Sequence, residues 1–340
     1  MNGFERISAA LRGERSDRVP VVLHNFLMAA REAGYSQRRF RNDPEAVAAS
    51  FIRAVETYEY DGILLDVDTV TLAEAVGVRV DHPEDRPARW AGPAISTLGA
   101  VRDLPPPEVG RHPRVQVWLK AVRRLKSQFG GEVFIRGNCD QAPFSLAGMM
   151  RGPADWMMDL LDEQRQDDAR ALLDYCAAAG AEFIRLMAAA GADMVSNGDS
   201  PAGPELISPA LYRRFAQPYE RRLADEAHAL GLPYALHICG NAGPILEDMV
   251  DTGADALELD HKTDPDKAHA AMKGRAVFIG NIDPSGVLAL GTPELVAAKT
   301  REILAVFADT PRFILNAGCA IPAETPPANI KAMLAAAREK

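Results

Sequence analysis

Short, continuous apolar runs alternate along the chain with longer stretches whose apolar residues recur at helical spacing. Eight runs stand out. They are Pro20-Val21-Val22-Leu23, Gly62-Ile63-Leu64-Leu65, Val133-Phe134-Ile135, Ala192-Asp193-Met194-Val195-Ser196, Leu232 to Leu236, Ala256-Leu257-Glu258-Leu259-Asp260, Ala276-Val277-Phe278-Ile279-Gly280 and Phe313-Ile314-Leu315. As a set they read as continuous rather than alternating, as expected for parallel strands covered on both faces. Helical periodicity is predicted over Arg6 to Leu11, Pro44 to Tyr58, Val115 to Phe129, a stretch reaching Leu161, Gln164 to Ala190, Ser208 to Leu230, and residues 241–251, 265–273, 293–307 and 326–338. Ser208-Pro209 supplies an N-cap and a first-turn proline.

Eight strands alternating with helices predict an α/β fold, a (β/α)8 TIM barrel. The 340 residues are expected to form one such domain over 1–340. A Pro-rich stretch at about 83–113 reads as an irregular insertion over one mouth. No Gly-rich dinucleotide fingerprint follows the first strand, which argues against a Rossmann fold.

Composition narrows the function classes. An apolar content of 47% supports a large core, and a formal charge of −9 excludes nucleic acid as the main partner. Four cysteines in so long a chain are not a disulfide framework. The charged start, Met1 to Arg6, has no apolar secretory segment, and no uncharged apolar stretch of about 18 residues occurs. A soluble, cytoplasmic protein without membrane contact is expected.

In a barrel of this kind, chemistry sits where the strands end. Those ends carry Asn25, Asp68, Cys139, Asp199, His237 with Cys239, Asp260, Asn281 with Asp283, and Cys319. His237 and Cys239 are two residues apart, so on an extended strand both side chains point the same way. With Cys319 from the eighth strand they offer three ligands for a zinc ion and leave one position open, the pattern of a catalytic site. Asp260 is a candidate fourth ligand or supporting group. Asp260, Asp68 and Asp199 are the catalytic candidates, Asn25 and Asn281 the candidates for cofactor contact. Asp68 and Asp199 have capping of loops as their alternative role, and Asp283-Pro284 a plain turn. Cys176, inside a helical pattern, reads as a small buried hydrophobe.

Several stretches resemble the uroporphyrinogen decarboxylase superfamily, nearly end to end. They are Leu11-Arg12-Gly13-Glu14 with Asp17-Arg18-Val19-Pro20-Val21, Ala142-Pro143-Phe144-Ser145-Leu146-Ala147, Leu206-Ile207-Ser208-Pro209, and Thr325-Pro326 with Asn329-Ile330. The resemblance implies a distorted (β/α)8 barrel. It departs from the true decarboxylases after the first strand, where their arginine-rich segment is replaced by His24-Asn25-Phe26-Leu27-Met28-Ala29-Ala30-Arg31. Cys319 stands where they carry a histidine, while Asp68 matches their aspartate. These departures resemble the zinc methyltransferase branch, as do His237-Ile238-Cys239-Gly240-Asn241, Met249, Thr252 to Ala256, Ile279 to Pro284 and Gly291-Thr292-Pro293-Glu294.

By that resemblance His237, Cys239 and Cys319 hold Zn2+, with Asp260 a looser match. The methyl donor is a methylated corrinoid, either on a corrinoid protein partner or bound as a substrate. The acceptor is a small thiol such as coenzyme M, or tetrahydrofolate. The alternative activity is a decarboxylase acting on something smaller than a porphyrinogen.

Overall fold

The computed structural model describes residues 1–339. Eight parallel strands pair in the order in which they occur in the chain. They are β1 (Val22–Leu23), β2 (Gly62–Leu65), β3 (Phe134–Gln141), β4 (Met194–Gly198), β5 (Tyr234–Ile238), β6 (Ala256–Leu259), β7 (Val277–Ile282) and β8 (Phe313–Ala317). The sheet closes through a single bridge, Val21 to Leu315, with the Leu315 amide donating to the Pro20 carbonyl at 2.9 Å. The expected (β/α)8 barrel is what forms, with each predicted strand in place.

The barrel interior changes character along its axis. Val22, Leu64, Phe134, Met194, Ala235, Ala256, Val277 and Ile314 pack at the end where the strands begin. Ile7 and Ala10 of the helix Gly3–Arg12 plug that end. Asn2 and Glu5 form a capping box at the start of this helix, each accepting from the other's backbone amide. Successive inward positions on a strand lie two residues apart. Moving on by two gives Arg136, Ser196, His237, Glu258 and Asn316, so the interior turns polar toward the other end.

Arg136 on β3 reaches Glu258 on β6. Its Nη2 donates to Glu258 Oε2 at 2.6 Å and its Nε to Ser196 Oγ at 2.8 Å. Asn316 Nδ2 on β8 donates to the other Glu258 oxygen at 2.7 Å. Burial pushes the Glu258 carboxyl up, but Arg136, His237 and His24 outweigh it and hold the group at about 2.

Three predicted features differ. The helix expected from Ser208 to Leu230 divides into Pro209–Phe215 and Gln217–Ala229, because Pro218 has no N–H to donate and its ring clashes with the preceding turn. The helix expected at 241–251 is a short turn, Gly243–Ile245, followed by Leu246–Val250. The Pro-rich insertion is more regular than expected and lies along the outer helices. A ribbon pairs Arg79–Asp81 with Arg89–Gly92, Ala94 and Ile95 donate to the Met150 carbonyl, and Val109 and Gly110 donate to the Glu182 carboxylate. Helices Phe26–Glu32, Gln37–Asn42 and Thr71–Ala75, and a π-helical turn at Pro284–Ala289, had no sequence expectation. Among the described residues no helix is long and apolar enough to cross a membrane.

Replacing one member of a buried pair leaves the other as an uncompensated charge. Arg136→Met is therefore expected to cost about 3–5 kcal/mol in urea unfolding. Adding Glu258→Gln should recover more than half of that loss. A double variant as unstable as the single one would contradict this account.

Candidate metal centre

The predicted trio converges at the polar end of the barrel. His237 is on β5, Cys239 follows that strand by one residue and Cys319 follows β8 by two. His237 Nε2 lies 3.0 Å from Cys239 Sγ, which lies 3.5 Å from Cys319 Sγ. One ligand atom from each falls within 4.8 Å of the others, and these are the residues among those described that could together hold a metal ion.

Two glycines allow the approach. Gly240 turns the chain after Cys239 with φ +81°, a conformation strained for other residues, and a Cβ there would lie 2.8 Å from the Glu205 carboxylate. At Gly318 a Cβ would lie 2.5 Å from the His261 amide nitrogen, so the Cys319 loop can approach β6 only without a side chain. The loop after β5 is held further by Ser200 Oγ, which accepts from the Cys239 amide at 3.2 Å.

His237 Nδ1 faces the Glu258 carbonyl oxygen at 3.0 Å. That contact places the proton on Nδ1 of the neutral ring and leaves Nε2 as the ligand atom, the usual support for a metal-binding histidine. Hydrogen bonding from Cys319 lowers the Cys239 thiol against the effect of burial, and His237 adds to it, bringing the group to about 4. The same contact with Cys239, together with burial, raises Cys319. Burial disfavours the His237 imidazolium, but Cys239 and Glu258 outweigh it and raise the group to about 9. One imidazole and two sulfurs suit zinc, and the side facing the cavity is open.

The cavity beside the trio has a volume of about 130 Å³. Its lining also includes His24, Asp66, Asn138 and Asp140. His24 Nε2 lies 2.9 Å from Asp66 Oδ2. These residues, like Arg136 and Glu258, were missed in the sequence. A charged side chain inside an otherwise apolar parallel strand needs a buried partner, and that signal was present at Arg136 and Glu258.

The other predicted site residues lie outside the cavity lining. Asp260 accepts from the Gly240 amide at 2.9 Å and the Lys262 amide at 3.0 Å, so both its oxygens hold the loops and it stands outside the metal cluster. Asp68 accepts from Val70 and Thr71 and pairs with Arg114. Asn281 donates to the Asp260 and Thr263 carbonyls, and Asn25 is fully buried near Tyr60. Asp283 caps the π-helical turn. Cys139 and Cys176 are buried.

Asp199 is buried too, accepting from the Ser145 amide and hydroxyl and facing Glu220. Burial raises both carboxyls, Glu220 well above the usual range because the Asp199 charge adds to it, and the Tyr212 hydroxyl donates to Glu220 Oε2.

A family model described as uroporphyrinogen decarboxylase (URO-D) matches residues 2–340. The chain belongs to the uroporphyrinogen decarboxylase family. Within it, the chain is 30% identical to the methylcobamide:CoM methyltransferase MtbA of Methanosarcina mazei, covering 98% of this chain and 97% of that enzyme. Identity to the methylcobamide:CoM methyltransferase MtaA of Methanosarcina barkeri is 28%, with the same coverage. The uroporphyrinogen decarboxylase of Thermus thermophilus is 29% identical over 96% of this chain and 95% of its own. A solved methyltransferase from Methanosarcina mazei superposes with a TM-score of 0.90 at 26% identity, covering 99% of this chain and 98% of that one.

The Glu220 assignment has a pH signature. A raised carboxyl pKa means that the unfolded chain loses its proton first, so stability falls as pH rises from the unfolded value of about 4.3 toward the folded one. Glu220→Gln removes that dependence and keeps an N–H donor for Asp199. The variant's urea stability relative to the parent should therefore climb between pH 5 and pH 8, with a gain of at least about 1.4 kcal/mol, equivalent to one pKa unit. A difference that stays flat across that range would refute the assignment.

Proposed function

We propose that the protein transfers a methyl group from a methylated corrinoid to the sulfur of a small thiol, with a zinc ion held by His237, Cys239 and Cys319. The observation that carries this reading is the convergence of one imidazole and two sulfurs at the open end of the barrel. Relatives aligned along nearly the whole chain are named methylcobamide:CoM methyltransferases, which supports the same chemistry.

Bound zinc supplies a Lewis acid that keeps an acceptor sulfur ionised near neutral pH. The chain's own residues arrange the rest. His237 is oriented by the Glu258 carbonyl, and Ser200 and Asp260 fix the loop that carries Cys239. The acceptor sulfur attacks the methyl carbon in line with the breaking cobalt–carbon bond. A carbon–sulfur bond forms, cobalt keeps the electron pair and becomes Co(I), and the thiol proton leaves to solvent.

Ile7, Ala10 and the apolar layer close the opposite end of the barrel, so the corrinoid approaches from the open mouth. The decarboxylase alternative lacks support in the cavity. Arg136, the arginine in its lining, is already bound to Glu258, and Arg31 pairs with Glu324 at the surface.

The purified protein is expected to carry about one zinc per chain and to convert methylcobalamin to the Co(I) form when a thiol is added. Cys239→Ala or Cys319→Ala should release the metal and lower the rate on the order of a hundredfold or more. Full activity in a metal-free Cys239→Ala/Cys319→Ala variant would sink the proposal.

A further inference from the structure

Asp140 is the one carboxylate of the cavity wall that has an oxygen without a partner. Its Oδ2 accepts from the Leu72 amide at 2.7 Å, while Oδ1 is buried and makes no hydrogen bond. The residue is 2% exposed. Its placement is built into the strand, because the β3–β4 register shifts between Asn138 and Gln141, and Asp140 takes φ +61°. A bulge of this kind re-aims a side chain, and the left-handed conformation carries a cost that the surroundings must support.

His24 in the same lining is also short of a partner: its Nε2 pairs with Asp66 at 2.9 Å, while Nδ1 is buried without a hydrogen bond, 4.0 Å from Glu258 Oε1. The nearby cations are already engaged, Arg136 with Glu258 and Ser196, and Arg114 with Asp68 and Glu74. Arg136 Nη1 also lacks a hydrogen bond, but the charge of that guanidinium is balanced by Glu258. A buried acceptor left unmatched, as Asp140 Oδ1 is, calls for a ligand that brings a donor.

We propose that Asp140 determines acceptor specificity, and that the methyl acceptor is a compact thiol bearing a protonated amine that pairs with Asp140 Oδ1. The proposal rests on the methyl-transfer reading above and names its second substrate by chemical class. Burial raises the Asp140 carboxyl to about 7, helped by Asp66, and an ammonium neighbour restores its charged form. An anionic tail would instead lie against the Asp140 and Asp66 carboxyl groups.

Asn at this position tolerates the left-handed backbone, and its carbonyl can still accept from Leu72. Its amide then points a donor into the cavity, so Asp140→Asn tests the charge and the direction of the hydrogen bond rather than the fold. The zinc-loaded protein is titrated calorimetrically with cysteamine, 2-mercaptoethanol and 2-mercaptoethanesulfonate, and kcat/KM with methylcobalamin is measured for each. The parent is expected to prefer the aminothiol over both others by about tenfold or more, the scale of one charge-assisted hydrogen bond. In Asp140→Asn the ratio of cysteamine to 2-mercaptoethanol should fall by a similar factor.

Preference for the sulfonate in the parent, an unchanged ratio in the variant, or binding of none of the three thiols overturns the proposal. Failure of the methyl-transfer reading looks different. The thiols would bind in the expected order to a zinc-loaded protein that leaves methylcobalamin intact.

Discussion

The site depends on an ion pair buried inside the barrel. Glu258 is 1% exposed, and a lone carboxylate in that position would be too costly to keep ionised. It is kept because its two oxygens are divided between Arg136 from β3 and Asn316 from β8. The same residue's backbone carbonyl orients His237 on β5. One residue on β6 thus sets the relative positions of three other strands, including the strand that carries His237. Buried pairs add little net stability, and their value lies in allowing one arrangement. Here that arrangement presents His237 Nε2 toward Cys239.

Above this layer the cavity divides by chemistry. The sulfur and imidazole groups come from β5 and β8, and the oxygen and nitrogen atoms without a partner from the ends of β1 and β3, at His24 and Asp140. The two halves need different support. On the soft side, glycines 240 and 318 and the Asp260 carboxylate bring two loops close together. On the hard side, a register shift and a left-handed residue turn Asp140 inward. The cavity therefore brings a cluster able to hold a metal ion together with buried carboxyl groups in one lining.

The barrel was legible in the sequence because parallel strands covered on both faces are continuous apolar runs, and all eight were visible as such. The convergence of His237, Cys239 and Cys319 was legible for a similar reason, since His237 and Cys239 share a side by simple alternation. Residues that need information from several strands were not. Asn25 was singled out where His24 lines the cavity, and Asp68 where Asp66 does, because the last inward position depends on where each strand stops. Asp260 looked like a ligand by type and place, yet backbone amides claim both its oxygens. The divided helix after Ser208 was readable in principle from Pro218, whose effect was outweighed by the regular apolar spacing around it.

The weakest seam of the barrel lies beside the metal centre. β1 has two residues, and a single bridge joins it to β8. Side-chain and loop hydrogen bonds reinforce that seam. Asn316 Oδ1 accepts from the His24 amide at 3.1 Å and from the Ala317 amide at 2.8 Å, and the Ile321 amide donates to the His24 carbonyl at 2.7 Å. Asn316 uses its other end to hold Glu258. The residue that closes the barrel is therefore the one that ties the buried ion pair to the loop carrying Cys319. Closing the fold and completing the ligand set become a single geometric event, because Cys319 can meet Cys239 only where β8 has been drawn against β1 and anchored through Asn316 to Glu258.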